Sequence, residues 1–192
     1  MKYLILTASL VAVLSCNSNK KDKPAATPAG DTAGVIHPPD TATTRPEPVT
    51  GKIDIESFGD LKIGQPADEA ARLLGDPSSK AKAEKWEADG LMHQDWNWKD
   101  KGLVVNVTSD PANSSAPRVI ASITASAPCN FKTKAGVSIG NTYEEVQAAY
   151  KDHINKEESG DDQMIIGNMY GGIVLTFRDK KVAHIFLGAA AE

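Results

Sequence analysis

Two side chains that could do acid–base chemistry, His93 and Asp95, are separated by a single residue. Because alternate side chains of a β-strand point to the same face, a strand through this segment places the imidazole and the carboxylate side by side. Such a pair could be a hydrogen-bonded general base or two ligands of a metal site. No third ligand follows at metal-site spacing, so a solvated polar face is the simpler interpretation. The sequence therefore predicts no metal site and no cofactor.

The three tryptophans, Trp86, Trp96 and Trp98, could form a flat platform on which a sugar ring stacks. The alternation along the predicted strand places Trp96 and Trp98 on its apolar face, where large aromatic side chains contribute much of the burial of a core. Trp86 precedes this strand and is expected to be the most exposed of the three. It is therefore the aromatic candidate for a binding site that also uses the face carrying His93 and Asp95.

Charge and motif content argue against two broad functional classes. With 21 Lys and Arg against 25 Asp and Glu, the formal net charge is −4, whereas nucleic-acid binding needs a basic surface that displaces the counterions of phosphates. The sequence contains no glycine-rich phosphate-binding loop and no His-Glu-x-x-His zinc motif. We therefore expect a protein that binds no nucleic acid and is not an enzyme, with an enzyme kept as the least favoured alternative.

The beginning of the chain has the pattern of an export signal. A short basic start precedes an apolar stretch, Leu4 to Leu14, which is about 16 Å long as a helix and too short for the ~30 Å hydrocarbon core of a bilayer. The segment Val13-Leu14-Ser15-Cys16 resembles the lipobox of bacterial lipoproteins. By that resemblance residues 1–15 are a signal peptide, Cys16 carries the lipids, palmitate among them, and Asn17 favours the outer membrane.

Residues 16–50 are expected to form a lipidated, disordered tether rich in Pro, Thr and Ala. The segment after Cys16 holds six prolines and no aromatic residue, so it cannot bury enough apolar surface to offset the entropy of ordering it. The triplets around Thr32 and Thr41, both Asp-Thr-Ala, resemble the acceptor sites of a bacterial O-glycosylation system. Thr32 and Thr41 are therefore candidate glycosylation sites.

The rest of the chain contains an internal repeat. The pair Ile63-Gly64, preceded by Leu61-Lys62, recurs 76 residues later as Ile139-Gly140, and two later blocks match in the same order. In each copy this step leads into an amphipathic helix, and three predicted strands follow. We expect residues 51–130 to form repeat 1 and residues 131–192 to form repeat 2.

The predicted fold class is α+β: two tandem helix-plus-antiparallel-strand repeats that form one sheet with helices on one face. In repeat 1 the outer face of the sheet is polar. In repeat 2 it is less polar, and an exposed apolar patch commonly marks an interaction surface. The candidate partner-binding residues there are Ile165, Val174, Arg178, His184 and Phe186.

Strict alternation along the last strand of each repeat also predicts which residues face the core. It places Ala121 and Ile123 inside in repeat 1, and Ala183 and Ile185 inside in repeat 2, with Val182 on the outer face. Because the side-chain period is two, a register slip of one residue exchanges the two faces. The sequence therefore leaves open which face of the sheet is exposed.

The repeated pattern apolar-x-Ile-Gly-x-[Thr/Pro]-x-[Asp/Glu]-Glu, with three antiparallel strands after it on a lipoprotein, resembles the small outer-membrane-assembly lipoprotein superfamily (SmpA/OmlA). The tandem form, at about 76 residues per copy, resembles the β-lactamase inhibitor protein fold. These resemblances imply protein binding through the open sheet face and loops. They do not carry over β-lactamase inhibition, because no segment here matches the inhibitory loop of that family.

The expected function is therefore that of a non-catalytic cell-envelope lipoprotein that binds an envelope protein through the open face of its sheet. The lipid anchor holds it to the membrane, with the outer membrane favoured, on either the periplasmic or the surface side. The alternative is a lipoprotein that binds a glycan or another small ligand through Trp86 and the face of His93 and Asp95. The sequence identifies neither the partner nor the oligomeric state.

Overall fold

The computed structural model describes residues 57–190. The predicted signal peptide, the lipidated Cys16 and the tether with Thr32 and Thr41 lie outside the described residues. Within the described range, no helix is long and apolar enough to cross a bilayer.

Two short helices and ten strands make up the described part of the chain. The helices are α1 (Ala67–Leu74) and α2 (Tyr143–Tyr150). The strands are β1 (Ser57–Phe58), β2 (Leu61–Lys62), β3 (Ser79–Lys80), β4 (Glu84–Lys85), β5 (Met92–Trp98), β6 (Leu103–Ser109), β7 (Val119–Ser126), β8 (Gln163–Asn168), β9 (Gly171–Arg178) and β10 (Lys181–Gly188). A single turn of 3-10 helix, Lys99–Lys101, connects β5 to β6.

The main sheet has eight strands, and every pair of neighbours is antiparallel. Its order is β3–β5–β6–β7–β10–β9–β8, with β4 also pairing with β5, while β1 and β2 form a separate two-stranded sheet. β7 and β10 are therefore neighbours, and each is followed outward by the other two strands of its own meander. Two helices on a large antiparallel sheet confirm the predicted α+β class.

The two helices begin differently. At α2 the hydroxyl of Thr142 accepts a hydrogen bond from the N–H of Glu145 at 3.2 Å, and the Glu145 carboxylate accepts one from the N–H of Thr142 at 2.9 Å. This capping box satisfies two backbone donors that a helix start otherwise leaves unpaired. α1 instead follows Pro66 and ends at Gly75, whose φ of 81° lies in the left-handed region that favours glycine.

The core lies between the helices and one face of the main sheet. Trp96 and Trp98 are each only 1% exposed, which confirms their predicted place in the core. The indole N–H of Trp98 donates to the carbonyl of Gly75 at 2.8 Å, so the end of α1 is fixed to β5. From the helices, Ala70 and Val146 are among the residues packed into the same core.

An irregularity in β7 corrects one of the predicted core positions. The pairing of β6 with β7 shifts register after Asn106, as it does when a β-bulge adds one residue to a strand. Ile120 and Ile123, three residues apart, are both buried in the core, whereas Ala121 between them is half-buried and lies on the outer face. The prediction that Ala121 faces the core is therefore wrong.

β10 contains an irregularity of the same kind. Its pairing with β9 shifts register between Val182 and His184. Val182 and Ile185 are buried in the core, and Ala183 is only half-buried. The predictions that Val182 lies on the outer face and that Ala183 lies in the core are both wrong, because strict alternation takes no account of an added residue.

The backbone before each helix joins the sheet through three hydrogen bonds of one pattern. Before α1 these are Gly64 N–H to Ile120 O (2.8 Å), Ile120 N–H to Gln65 O (2.9 Å) and Ala67 N–H to Arg118 O (2.8 Å). Before α2 they are Gly140 N–H to Val182 O (2.9 Å), Val182 N–H to Asn141 O (2.8 Å) and Tyr143 N–H to Lys180 O (2.9 Å). Both entry segments are therefore held against the last strand of their own half of the sheet.

Candidate functional site

A cavity of about 610 Å³ opens on the face of the main sheet opposite the helices. We call it the outer-face groove; β5, β6, β7 and β10 provide its base, and segments 86–91 and 189–190 border it. Its lining residues are Trp86, Asp89, Leu91, His93, Asp95, Val104, Asn106, Thr108, Ala121, Ser122, Thr124, Phe186, Ala189 and Ala190. Its volume lies within the ~300–1,000 Å³ range of ligand sites in proteins.

A chain of hydrogen bonds runs along one side of the groove and includes both residues of the predicted pair. His93 Nδ1 lies 2.8 Å from Asn106 Oδ1, and His93 Nε2 lies 2.8 Å from Asp89 Oδ2. The side-chain amide of Asn106 then donates from Nδ2 to Asp95 Oδ1 at 2.7 Å. His93 and Asp95 therefore share the outer face but are linked through Asn106 rather than to each other.

The hydrogen-bond pattern around His93 fixes the role of its ring. Because the Asn106 amide directs its N–H group at the Asp95 carboxylate, only its oxygen is left to face His93. Asp89 also offers a carboxylate oxygen, so each ring nitrogen of His93 faces an acceptor oxygen. With both nitrogens occupied and the side chain only 5% exposed, His93 has no free position from which to take a proton from a substrate.

The segment 86–91 forms a tight turn beside this histidine. The N–H of Trp86 donates to the carbonyl of Leu91 and the N–H of Gly90 to the carbonyl of Trp86, both at 2.9 Å. Within the turn, the carboxylate of Asp89 accepts a hydrogen bond from the N–H of Leu91 at 2.9 Å. This bond, and secondly the one with His93, holds the pKa of Asp89 below its ordinary value.

Trp86 is 41% exposed, which confirms that it is the most exposed of the three tryptophans. One face of its indole ring is stacked on His93, with ring centroids 3.8 Å apart and an angle of 6° between the planes. Trp86 and Asp89 thus contact the histidine from the same turn, one through stacking and the other through a hydrogen bond. The sequence pattern did not reveal the role of Asp89, because it lies in a turn outside the strand alternation.

Several polar side chains in the groove have unused hydrogen-bonding capacity. Thr108 is only 5% exposed, yet its hydroxyl makes no hydrogen bond to any other described residue, and the same holds for Ser122 and Thr124. The carboxylate of Asp95 accepts a hydrogen bond from Asn106 alone and has no Lys or Arg within 4 Å among residues 57–190. These groups keep contact with solvent, so they are available to hydrogen-bond with a bound molecule.

One residue of the predicted patch in repeat 2 is not accessible. Ile165 is 1% exposed, so the prediction that it contacts a partner is wrong. Its N–H donates to the hydroxyl of Ser159 at 2.9 Å, and its carbonyl accepts from the N–H of Asn155 at 2.8 Å. The connection from α2 to β8 therefore runs alongside this strand, which strand periodicity alone could not indicate.

The other four residues of that patch lie on or beside the outer face. Val174 and Phe186 are directly opposite each other on β9 and β10, and both are half-buried. Arg178 and His184 are exposed. Of the four, only Phe186 lines the outer-face groove, so the structure brings it together with the residues predicted in repeat 1.

Residues 136–140 are Gly-Val-Ser-Ile-Gly, which has the spacing of a hydrolase nucleophile motif. A working motif of this kind would contradict the expectation that the chain is not an enzyme. That motif requires a sharp strand-to-helix turn and a histidine beside the serine. Here Ser138 is in neither a strand nor a helix, and its hydroxyl donates to Asn141 Oδ1 at 3.1 Å. No described histidine bonds to it, so the match belongs to the turn before α2.

Neither a reactive thiol nor a metal site lies elsewhere in the described part of the chain. Cys129 is buried, and burial raises the pKa of its thiol, which keeps it in the less nucleophilic protonated form. Across residues 57–190, no group of three or more His, Cys, Asp or Glu side chains is placed to hold a metal ion. The outer-face groove is therefore the strongest candidate site in this part of the chain.

Comparisons with known proteins give no assignment. No protein-family model, no curated protein and no solved structure matches the chain.

Proposed function

We propose that this chain is a non-catalytic lipoprotein of the cell envelope that binds a protein partner on the outer face of its sheet. Lipids on Cys16 anchor it, with the outer membrane favoured, and residues 17–50 let the folded body work at a distance from the bilayer. The observation that carries the binding role is the outer-face groove, which combines apolar side chains with polar groups that lack partners.

The unpaired groups of the groove favour a binding role for a physical reason. The hydroxyl of Thr108 makes no hydrogen bond within residues 57–190 but keeps contact with solvent, so a partner that displaces this water must offer a hydrogen bond in its place. Trp86 and Phe186 offer the aromatic surface that often dominates the energy of interfaces. The groove is too small for a folded domain, so a segment or a single side chain of the partner enters it.

The state of the potential catalytic groups supports a role without catalysis. His93 has acceptors on both ring nitrogens, Ser138 has no histidine beside it, and Cys129 is buried. A nucleophile with an adjacent general base is the minimum for covalent catalysis, and these three residues supply none.

The same proposal includes the tandem arrangement, with repeat 1 at residues 51–130 and repeat 2 at residues 131–192. The matched hydrogen bonds before α1 and α2 support it, since their residues correspond at the offsets that align the sequence copies. A further matched pair is the N–H of Lys62 to Gln65 Oε1 (2.9 Å) and the N–H of Ser138 to Asn141 Oδ1 (2.8 Å). The resemblance to the SmpA/OmlA and β-lactamase inhibitor protein folds belongs to this proposal.

Crosslinking with matched variants tests the protein-binding role. Ala189→Trp places a large side chain at the border of the groove, and Ala112→Trp makes the same change in an exposed loop outside it. We expect the full-length chain and Ala112→Trp to be crosslinked to the same envelope protein and Ala189→Trp to lose it. That protein, once identified by mass spectrometry, must rebind in purified form. Equal capture by both variants would show that the groove is not the binding surface.

A glycan is the second candidate ligand, and the position of Trp86 is the observation that favours it. One ring face is stacked on His93, while the residue as a whole remains 41% exposed, beside carboxylates that could accept hydrogen bonds from sugar hydroxyls. If a glycan stacks on Trp86, we expect the wild type to bind it on a glycan array and Trp86→Ala to lose that binding. If the wild type binds no glycan on the array, or if Trp86→Ala binds as well as the wild type does, the glycan site is excluded.

A further inference from the structure

The charged side chains that line the outer-face groove are Asp89, His93 and Asp95, with no Lys or Arg among the lining residues. Asp89 Oδ2 lies 2.8 Å from His93 Nε2. Asp95 has no counter-ion within 4 Å in the described part of the chain. With two carboxylates and one histidine, the lining of the groove carries a net negative charge, and the smaller adjoining cavity adds one carboxylate and one ammonium group, Glu84 and Lys82.

The carboxylate of Asp95 is held in a fixed orientation. Its Oδ1 accepts the hydrogen bond from Asn106, which is itself held by His93, and both residues stand on paired positions of β5 and β6. Its second oxygen has no hydrogen-bond partner among the described residues, and the residue is exposed. Pre-orienting one oxygen in this way lowers the entropy lost when a donor binds to the other.

The surroundings of Asp95 suit a cation on an apolar stem. The unpaired hydroxyls of Thr108 and Thr124 can accept hydrogen bonds from an ammonium or guanidinium group. The open face of Trp86 attracts a cation through its ring quadrupole and covers the methylene groups that carry it. Phe186, on the β10 side of the groove, adds a second apolar surface.

We infer that the outer-face groove holds a lysine or arginine side chain from an extended, basic segment of the partner, with Asp95 as its counter-ion and Trp86 as its stacking surface. This inference rests on the proposed protein-binding function and specifies the partner's chemistry. A neutral glycan would need Asp95 only as a hydrogen-bond acceptor, whereas a basic segment needs its charge. The substitution Asp95→Asn separates the two, because the amide oxygen still accepts from Asn106.

The test uses the full-length chain in detergent and an acetylated, amidated tetralysine peptide as the probe, with binding followed by titration calorimetry. We expect binding that weakens as NaCl rises from about 0.02 to about 0.3 M, because the salt screens an exposed charge pair. Asp95→Asn is expected to weaken binding by about fivefold. The control Asp100→Asn removes the same charge from the exposed 3-10 turn outside the groove and should leave binding unchanged.

The outcomes separate this inference from the proposed function. No tetralysine binding, or equal weakening by Asp95→Asn and Asp100→Asn, overturns the inference, and loss of partner capture in Ala189→Trp would then still support the proposed function. Charge-dependent peptide binding together with unchanged capture in Ala189→Trp overturns the proposed function instead. Binding of chitotetraose that Asp95→Asn leaves intact would assign the groove to a glycan. Thermal unfolding of each variant shows whether a loss reflects misfolding.

Discussion

At the scale of single residues, His93 is the centre of the candidate site. It is buried, it stacks on Trp86, and it joins Asp89 in the turn to Asn106 on β6. Its neighbours therefore depend on it for their orientation, including Asp95 at the far end of the chain of hydrogen bonds. The sequence could place His93 on a strand face, but Asn106 reaches it from another strand and Asp89 from a turn. Neither contact follows from the spacing along β5.

We expect replacement of His93 to destabilise the folded state. His93→Leu removes two hydrogen bonds and leaves the Asn106 oxygen without its partner, so we expect the free energy of unfolding to fall by about 2–4 kcal/mol. His184→Leu makes the same substitution on the exposed part of β10 and should change it by less than about 0.5 kcal/mol. Urea denaturation measures both, and equal effects would contradict the central role of His93.

The depressed pKa of Asp89 predicts how stability responds to acid. The N–H of Leu91 first, and then His93, lower this pKa from its ordinary value of 3.8. As the pH falls, the unfolded chain takes up the proton before the folded chain does, so the stabilisation is present above the ordinary value and is lost through the lower, folded one. Wild type should therefore lose stability more steeply below about pH 4 than Asp89→Asn does. Urea denaturation across this range measures the difference, and parallel curves would contradict it.

At the scale of elements, local sequence patterns predict more of the secondary structure than they predict of the candidate site. Period-two alternation along β5 correctly predicts that Trp96 and Trp98 are buried. The Ile-Gly pair that precedes each helix correctly predicts where both helices begin. The sequence pattern does not predict the bulge in β7 or the bulge in β10. A bulge adds one residue without a residue type of its own, so Ile120 and Ile123 look out of phase until the pairing partner is known.

The bulge in β10 can be tested by one substitution at two adjacent positions. Val182→Thr puts a hydroxyl into the core with almost no change of shape, so we expect a loss of about 1–3 kcal/mol in the free energy of unfolding. Ala183→Thr adds its side chain on the half-buried outer side and should cost less than about 0.5 kcal/mol. Denaturation curves in which Ala183→Thr is the more damaging change would restore strict alternation along β10.

At the scale of the whole molecule, the two halves of the sheet are joined through β7 and β10. Four residue pairs, from His184 with Ser126 to Leu187 with Ile123, connect these strands, and residues from both halves pack into a single core cluster. The site, however, belongs mainly to one half, because the turn 86–91 lies only there. The internal similarity visible in the sequence therefore does not indicate where the candidate site lies.

This shared core predicts that neither half folds alone. Residues 51–130 and 131–192, produced separately, would each expose the edge of β7 or β10 and the apolar surface of about half the core. Chains of this size are marginal even with an intact core. We expect both fragments to show no cooperative unfolding by circular dichroism and to regain it when mixed. A fragment that unfolds cooperatively by itself would contradict the single shared core.

The unequal burial of the three tryptophans gives the molecule a built-in optical reporter. Trp96 and Trp98 are buried in the core, so a molecule entering the groove leaves their surroundings unchanged, whereas Trp86 lies at the border of the groove, stacked on the ring of His93. Any change of indole emission on adding a ligand therefore originates almost entirely from Trp86. Ligands can be screened on the unlabelled, full-length chain, with Trp86→Phe as the silent reference.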